Sequence, residues 1–384
     1  MTALGQGSRG YAVPVASLVT PDAPARVRDH ERLVVQVWLG TRIILIGAAI
    51  AVAIKTGQSL HDVLANWDVL HFVGIARSGY SNPTDVAFFP GLPLLLHLGI
   101  KVGIDPVLWG TGLAVVTSGL ATWALYRLGG RWAAISWLLA PTSVFTVVPY
   151  SESPFCAAAF WAWERATRGK WGAAAIYASA ACTLRVSGLF LVGALGVLAL
   201  AQARRKRSAS DLLVSTPWLL LPLGVLFAYA AYLFAKTGSW TAWFTAQSSG
   251  WMRGLTLPWE CIEHSWASIQ PGMYADHPGW VEIFRAEFAS MIVGVIVVGV
   301  LVWRRRVPEA SWVGVQVLAF SLSYWFQSVC RAVLLWFPLW TLIGDAAERR
   351  TSLGWRWFWA VSAVAALIVQ VVWAVVYYLS MWAS

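Results

Sequence analysis

The sequence predicts an all-α polytopic membrane protein, and three observations predict it. Of its 384 residues, 58% are hydrophobic and 12% are charged, against about 45–50% apolar and about 25% charged in soluble domains. The apolar residues fall in runs approaching the ~20 that a transmembrane helix needs. The basic residues lie in short clusters between those runs: Arg127 and Arg131; Arg165, Arg168 and Lys170; Arg204 to Arg207; Arg304 to Arg306; Arg349 and Arg350. Cytoplasmic loops facing anionic lipid show this pattern. The formal charge of +10 therefore points to membrane lipid as a partner. No basic stripe with interleaved aromatics marks a soluble face, so nucleic acid is not expected.

In chain order, residues 1–32 are polar, contain Pro and Arg, and lack the architecture of a cleavable signal. They read as a disordered cytoplasmic tail ahead of a single transmembrane domain, 33–384. The first apolar run, 33–54, is a signal anchor. A polar loop, 55–88, follows it, and then the piece 88–103, which His97 and Lys101 interrupt. Further runs cover 107–126, 132–149, 154–164, 171–184, 186–203, 212–234, 288–303, 312–329, 332–343 and 355–379. Every basic cluster reaches the cytoplasm only if 88–103 does not simply cross. Residues 171–203 must also make two short passes, broken near Arg185, Ser187 and Gly188. Non-helical backbone at membrane depth is tolerated only where protein or a wet cavity covers it. The sum is about eleven crossings, within a range of about ten to twelve. This topology sends 55–88, Tyr150 to Ser153, Arg185, the loop 236–285 and Arg331 to one extracytoplasmic face. The 236–285 loop carries Trp240, Trp243, Trp251, Trp259, Trp266 and Trp280. Such residues read first as interfacial anchors, and some as platforms for sugar rings or prenyl chains.

The polar segment after the first span holds the densest chemistry. Within Trp67-Asp68-Val69-Leu70-His71-Phe72, the apolar positions Leu64, Trp67, Leu70 and Phe72 recur at helix spacing, as for a helix on the membrane surface. Asp68 and His71, three apart, then share a face. A partly desolvated carboxylate has its pKa raised towards working pH and suits general-base catalysis; a merely solvated face of an interfacial helix is the alternative. Glu152 lies between apolar runs in Pro149-Tyr150-Ser151-Glu152-Ser153-Pro154. Acids at the membrane boundary are functional candidates, but Ser151 or Ser153 could instead cap a helix that Glu152 favours through its dipole. Arg185, Arg253 and Arg331 fall on the side where few arginines are expected. A guanidinium there forks well onto phosphate; ion pairs with Glu152 or Asp68 are the competing account. The four cysteines contain no CxxC, and the histidines no HxxxH or HExxH. Neither a metal nor another cofactor is expected.

Trp67-Asp68, His71-Phe72, Ile75-Ala76-Arg77, Gly79-Tyr80 and Phe88-Phe89-Pro90-Gly91-Leu92-Pro93 together resemble the PIG-V family, the membrane mannosyltransferases that add the second mannose of the GPI anchor; the composition resembles that of an actinobacterial homologue. Pro149-Tyr150-Ser151-Glu152-Ser153 is similar to the family's second signature. Thr183-Leu184-Arg185-Val186-Ser187-Gly188 is similar to its third, with Val186 where proline is often found. Gln247, Trp251, Arg253, Pro258 and Trp259 resemble its outer-loop pattern, and Arg331 with Phe337-Pro338-Leu339 its late helix. The resemblance runs in order over about 45–345.

It implies a GT-C fold with amphipathic helices in the first outer loop, 55–88. It implies a polyprenyl-phosphate-mannose donor, no metal, and an active site on the extracytoplasmic side of the cell membrane. It places the catalytic carboxylate at Asp68, acting as the base of an inverting transfer. Trp67, His71, Arg77, Tyr80, Glu152, Arg185, Arg253 and Arg331 become candidates for binding substrate, with His71 either orienting Asp68 or only packing beside it. The acceptor is left open among a glycan, a glycolipid and a protein. The competing function is a transporter or flippase for a polyprenyl-phosphate lipid, which binds phosphate without transfer chemistry; a scaffolding subunit comes third.

Overall fold

The computed structural model describes residues 23–383. Residues 1–22, most of the expected tail, lie outside them, and helix begins at Ala23, inside the stretch expected to be irregular. Among the described residues the secondary structure is helical, apart from one isolated bridge between Leu255 and Ser323. The helices are α1 (Ala23–Thr56), α2 (Leu60–Leu64), α3 (Asp68–Ser78), α4 (Gly91–Lys101), α5 (Pro106–Leu138) and α6 (Glu152–Thr167). After them come α7 (Trp171–Leu184), α8 (Ser187–Lys206), α9 (Ala209–Ser215), α10 (Leu220–Thr237), α11 (Ala242–Trp251) and α12 (Pro258–Ser268). The chain ends with α13 (Gly279–Trp303), α14 (Val307–Ser321), α15 (Val329–Ala332), α16 (Phe337–Arg349) and α17 (Leu353–Tyr378).

Six helices among the described residues are long and apolar enough to cross a membrane: α1, α5, α8, α10 together with α9 from Ser210 on, α13 and α17. A seventh span arises if the stretch Val329–Leu335 and α16, bent by 66°, count as one. The count falls short of ten to twelve because several apolar runs are short helices that neighbouring protein covers. The runs 107–126 and 132–149 share α5, which breaks at Gly130 with φ 76° and then gives way to a 3₁₀ turn at Ser143–Thr146. Helix α4, with 11 residues, reaches only about 16 Å at ~1.5 Å per residue, well short of the ~30 Å hydrocarbon core. It does not cross as a single helix.

Helix α6 is the centre of the bundle. It packs between α5 and α7, and nearly all its side chains are buried. An acid lies near each end, and each is matched by arginines, as buried carboxylates require. Glu164 takes Arg127 at 2.7 Å, Arg165 at 2.6 Å and Arg168 at 2.7 Å. Near that end the basic clusters converge, with Arg131 on Glu348 and Arg304 on Asp345. Glu152, at the other end, belongs to the site described below.

The predicted break between 184 and 188 is present. Helix α7 stops at Leu184, Arg185 is extended (φ −157°, ψ 154°), and α8 starts at Ser187. Gly188 makes the close return possible: a Cβ there would lie 2.6 Å from the Cys182 Cα. Gly188→Ala must therefore push α8 away from α7 and displace Arg185. The expected result is a loss of about 1–3 kcal/mol, as for other overpacked sites, read as a lower unfolding temperature in detergent. An unchanged temperature would mean that the hairpin is looser than this.

Candidate active site

Asp68 opens α3, where a helix N-terminus favours an anion. The residue before it, Trp67, holds φ 55°, a conformation that costs a bulky residue about 1–3 kcal/mol and persists only where its surroundings fix it. They do so here through the end of α17. The Asn66 Nδ2 donates to the Tyr377 carbonyl at 3.1 Å, the Tyr377 hydroxyl donates to the Asn66 carbonyl at 3.2 Å, and the Trp67 indole donates to the Met381 carbonyl at 3.2 Å. From the bundle interior, Tyr150 accepts the Asp68 amide at 3.2 Å. Arg331 Nη1 donates to Asp68 Oδ2 at 2.8 Å.

The charges continue inward as a chain. Arg331 Nε lies 3.6 Å from Glu152 Oε1, an ionic contact beyond hydrogen-bond length. The same oxygen accepts from Arg185 Nη1 at 2.6 Å, and Arg185 Nη1 also donates to Ser151 Oγ at 2.9 Å. Glu152 is fully buried and Arg331 nearly so. The Arg331 guanidinium also stacks over Tyr150, 5.2 Å from the ring centre. Arg253 joins through Ser328, whose hydroxyl accepts from Arg253 at 2.9 Å and from Arg331 at 3.0 Å. Ser328 is itself in a left-handed conformation (φ 64°), as is Met252 (φ 52°) immediately before Arg253. Glu287 fixes that turn by accepting the Ser328 and Cys330 amides at 2.8 and 2.9 Å. Burial pulls the Arg253 guanidinium down to about 10, and the neighbouring Arg331 adds to the effect. Burial, with Asp68 nearby, pushes the Tyr150 phenol well above its usual value. It stays neutral beside the carboxylate.

Two cavities meet at this cluster. One, of about 120 Å³, has Arg185, Arg253, Gln247 and Ser151 in its wall. The other, of about 230 Å³, is walled mainly by aromatic side chains, Trp280, Trp325 and Trp382 among them. Asp68, Arg331 and Trp251 line both, so they form the partition.

The structure thus brings together Asp68, Glu152, Arg185, Arg253 and Arg331, with Trp67 on the rim of the aromatic cavity. Three candidates lie elsewhere. His71 does not orient Asp68: its Nδ1 is 3.0 Å from Asp85 Oδ1 and its ring stacks on Phe88. Arg77 is exposed at the far end of α3. Tyr80 is buried among Tyr229 and Tyr232 and donates to the Phe88 carbonyl at 2.9 Å. Neither lines either cavity. Ser151 makes no side-chain cap to α6; its hydroxyl serves Arg185. The apolar face read for α3 is divided, with Leu64 and Phe72 in the core and Leu70 exposed. The six loop tryptophans divide too: Trp243, Trp251 and Trp280 line cavities, while Trp240, Trp259 and Trp266 are exposed. Sequence reasoning missed Glu287, Trp325, Gln327, Ser328 and Trp382. Glu287 alone had a usable signal, as a single acid heading an apolar run.

Fold and site define an all-helical, multi-pass membrane protein with a buried carboxylate–guanidinium cluster between an arginine-lined and an aromatic cavity. The family model described as Mannosyltransferase (PIG-V) matches residues 43–128, the stretch that delivers Asp68, so the motif resemblance and the family match agree. The chain is similar to the GPI alpha-1,6-mannosyltransferase 2 of Mus musculus, 31% identical over 218 residues, covering 47% of this chain and 43% of that one. It is also similar to the Homo sapiens protein of that name, 30% identical over 200 residues, covering 46% and 38%. The chain therefore spans about two-fifths of the length of the curated relatives it matches. Among solved structures, ArnT from Cupriavidus metallidurans bound to undecaprenyl phosphate aligns over 93% of this chain and 70% of its own, at 15% identity and a TM-score of 0.49.

Proposed function

We propose that the protein is an integral membrane mannosyltransferase of the GT-C type, moving mannose from a polyprenyl-phosphate-mannose donor to an acceptor hydroxyl on the extracytoplasmic side. The observation that carries this reading is the partition: Asp68, held by Arg331 at 2.8 Å, borders a cavity lined by three guanidiniums. That cavity suits a phosphate, which planar guanidinium forks bind through paired hydrogen bonds. The likeness to mannosyltransferases supports the sugar. The gathering of basic clusters near the opposite end of α6 supports the sidedness.

In this mechanism the acceptor oxygen attacks the anomeric carbon as the bond from that carbon to the phosphate oxygen breaks. The hydroxyl proton passes to Asp68, whose Oδ1 accepts no hydrogen bond among the described residues while Oδ2 is taken by Arg331. The electron pair of the broken bond leaves with the phosphate, whose growing charge Arg185, Arg253 and Arg331 stabilise. A single base and in-line attack invert the anomeric centre.

The test uses purified protein in nanodiscs, labelled polyprenyl-phosphate mannose, and a membrane-extract acceptor mixture. Wild type is expected to transfer label. Arg253→Ala is expected to weaken donor binding by about ten- to a hundredfold, the value of hydrogen bonds to a charged group. Unaltered donor affinity in the variant would remove Arg253 from the phosphate site. Donor binding by wild type without transfer into any extract would favour the transporter reading.

A further inference from the structure

We infer that the end of α6 remote from Asp68 carries a binding site for one anionic glycerophospholipid, with its phosphate on Arg127, Arg165 and Arg168. None of these residues lines either cavity at Asp68, so the inference is independent of the transferase reading. The first observation is an imbalance of charge. Three guanidiniums surround one carboxylate: Glu164 meets Arg127 at 2.7 Å, Arg165 at 2.6 Å and Arg168 at 2.7 Å. Arg127 and Arg168 share a single oxygen, Oε1, which draws two like charges to a separation where they repel. The bias of basic residues towards one side of a membrane asks only for positive charge near lipid. It does not ask for three cations on one buried acid. A second anion removes the surplus.

The second observation is how the guanidiniums are turned. Each meets Glu164 through its Nε, and among the described residues the terminal nitrogens of all three make no hydrogen bond. Those outer edges are within reach of a ligand, since the side chains of Arg127, Arg165 and Arg168 are 30%, 19% and 49% exposed. A guanidinium carries its N–H donors in a fixed fork, and a phosphate accepts from such edges in pairs. Trp161 keeps two of the forks together, with Arg165 4.8 Å and Arg127 5.8 Å from its ring centre.

The third is the surface that continues from the cluster, which gives the anion its chains. Trp161 bridges α5 and α7: its indole donates to the Leu120 carbonyl at 3.1 Å, and its ring stacks on Tyr177. Leu120 and Val116 precede Arg127 by seven and eleven residues and so share its face of α5. Both are exposed, as are Ile176 and Tyr177 on α7. Because α5 is long and apolar enough to cross a membrane, this strip faces acyl chains. Guanidiniums at the top of a lipid-facing apolar strip fit a phospholipid's headgroup and tails better than a soluble phosphate. Basic pockets between helices at the membrane boundary take anionic headgroups for the same reason.

The experiment titrates detergent-purified protein with phosphatidylglycerol or phosphatidylcholine and counts bound lipid by native mass spectrometry. It compares wild type with Arg168→Gln, Arg168→Lys and Arg349→Gln. Arg168 is the most exposed of the three arginines, so Glu164 keeps two partners when it is replaced. Arg349 is an exposed base at the same end of the bundle, outside the cluster. Wild type is expected to bind one phosphatidylglycerol more tightly than phosphatidylcholine. Arg168→Gln should weaken that binding about tenfold, the value of hydrogen bonds to a charged group. Arg168→Lys, which keeps the charge and loses the fork, should weaken it less, and Arg349→Gln should leave it unchanged. If Arg168→Gln does not fold, the lysine variant carries the comparison with Arg349→Gln. Equal losses at positions 168 and 349 would overturn the site, because the lipid would then be answering overall charge. Equal affinity for the two lipids would do the same. Glycerophosphoglycerol, the headgroup without chains, should compete only weakly; competition as strong as that of the intact lipid would replace the lipid with a soluble phosphate ester.

Discussion

Asp68→Asn is expected to lower the transfer rate by about 10²–10⁴-fold, the contribution of a positioned general base, while leaving donor binding and thermal stability close to wild type. The substitution is nearly isosteric, so α3 keeps its first residue, its Tyr150 contact through the backbone amide and its Trp67 anchor. Arg331 loses one carboxylate partner but keeps Glu152 at 3.6 Å and the Ser328 hydroxyl at 3.0 Å. The guanidinium is therefore not stranded. What disappears is the ability to take the acceptor's proton. The measurement is single-turnover transfer in nanodiscs beside an unfolding curve for each protein. A rate within a fewfold of wild type would show that Asp68 serves only as the counterion of Arg331. A collapse of stability together with the rate would show that the ion pair, and not the proton transfer, is what the substitution removed.

Much of this site was legible because the membrane makes charge scarce. In a chain with 12% charged residues, Asp68, Glu152, Arg185, Arg253 and Arg331 stand out against the apolar runs. An isolated buried charge is so costly that each had to find a partner. The ordered signatures around them identified which acids and arginines to gather. The geometry could not be read in the same way. Nothing in the sequence ties His71 to Asp85 in preference to Asp68, since a helix face fixes direction only for neighbours on the same helix. The aromatic wall was likewise hidden, because Trp325 and Trp382 are only two of 26 tryptophans, and pairing them with Trp280 needs the tertiary path of α13 and α17. The span count differs for a related reason. Apolar runs buried against protein and apolar runs facing lipid have the same composition, so α6 and α7, with 16 and 14 residues, were counted alongside the six longer helices. Glu287 was missed because its carboxylate accepts the backbone amides of Ser328 and Cys330, a role that no side-chain pattern announces.

Glu152 presents the opposite case to Asp68, since its removal is expected to act on stability first. It is fully buried at the head of the central helix, between Arg185 at 2.6 Å and Arg331 at 3.6 Å. Taking out one partner of a buried ion pair costs about 3–5 kcal/mol, because the remaining charge keeps its desolvation penalty. Here two guanidiniums share that single carboxylate. Against a total of about 5–15 kcal/mol for a typical fold, Glu152→Ala should sharply reduce the yield of folded protein and lower its unfolding temperature. Glu152→Gln, which keeps the shape and one acceptor oxygen, should lose less. The double variant Glu152→Gln with Arg185→Met removes both charges of the tighter pair. It should recover part of the loss, giving a coupling energy of about 0.5–3 kcal/mol in the double-mutant cycle. Additive effects in that cycle, or an unfolding temperature unaltered by Glu152→Ala, would show that Arg185 and Glu152 are not energetically linked. Strong coupling would instead assign Glu152 the task of positioning Arg185 in the wall of the cavity it shares with Arg253 and Arg331.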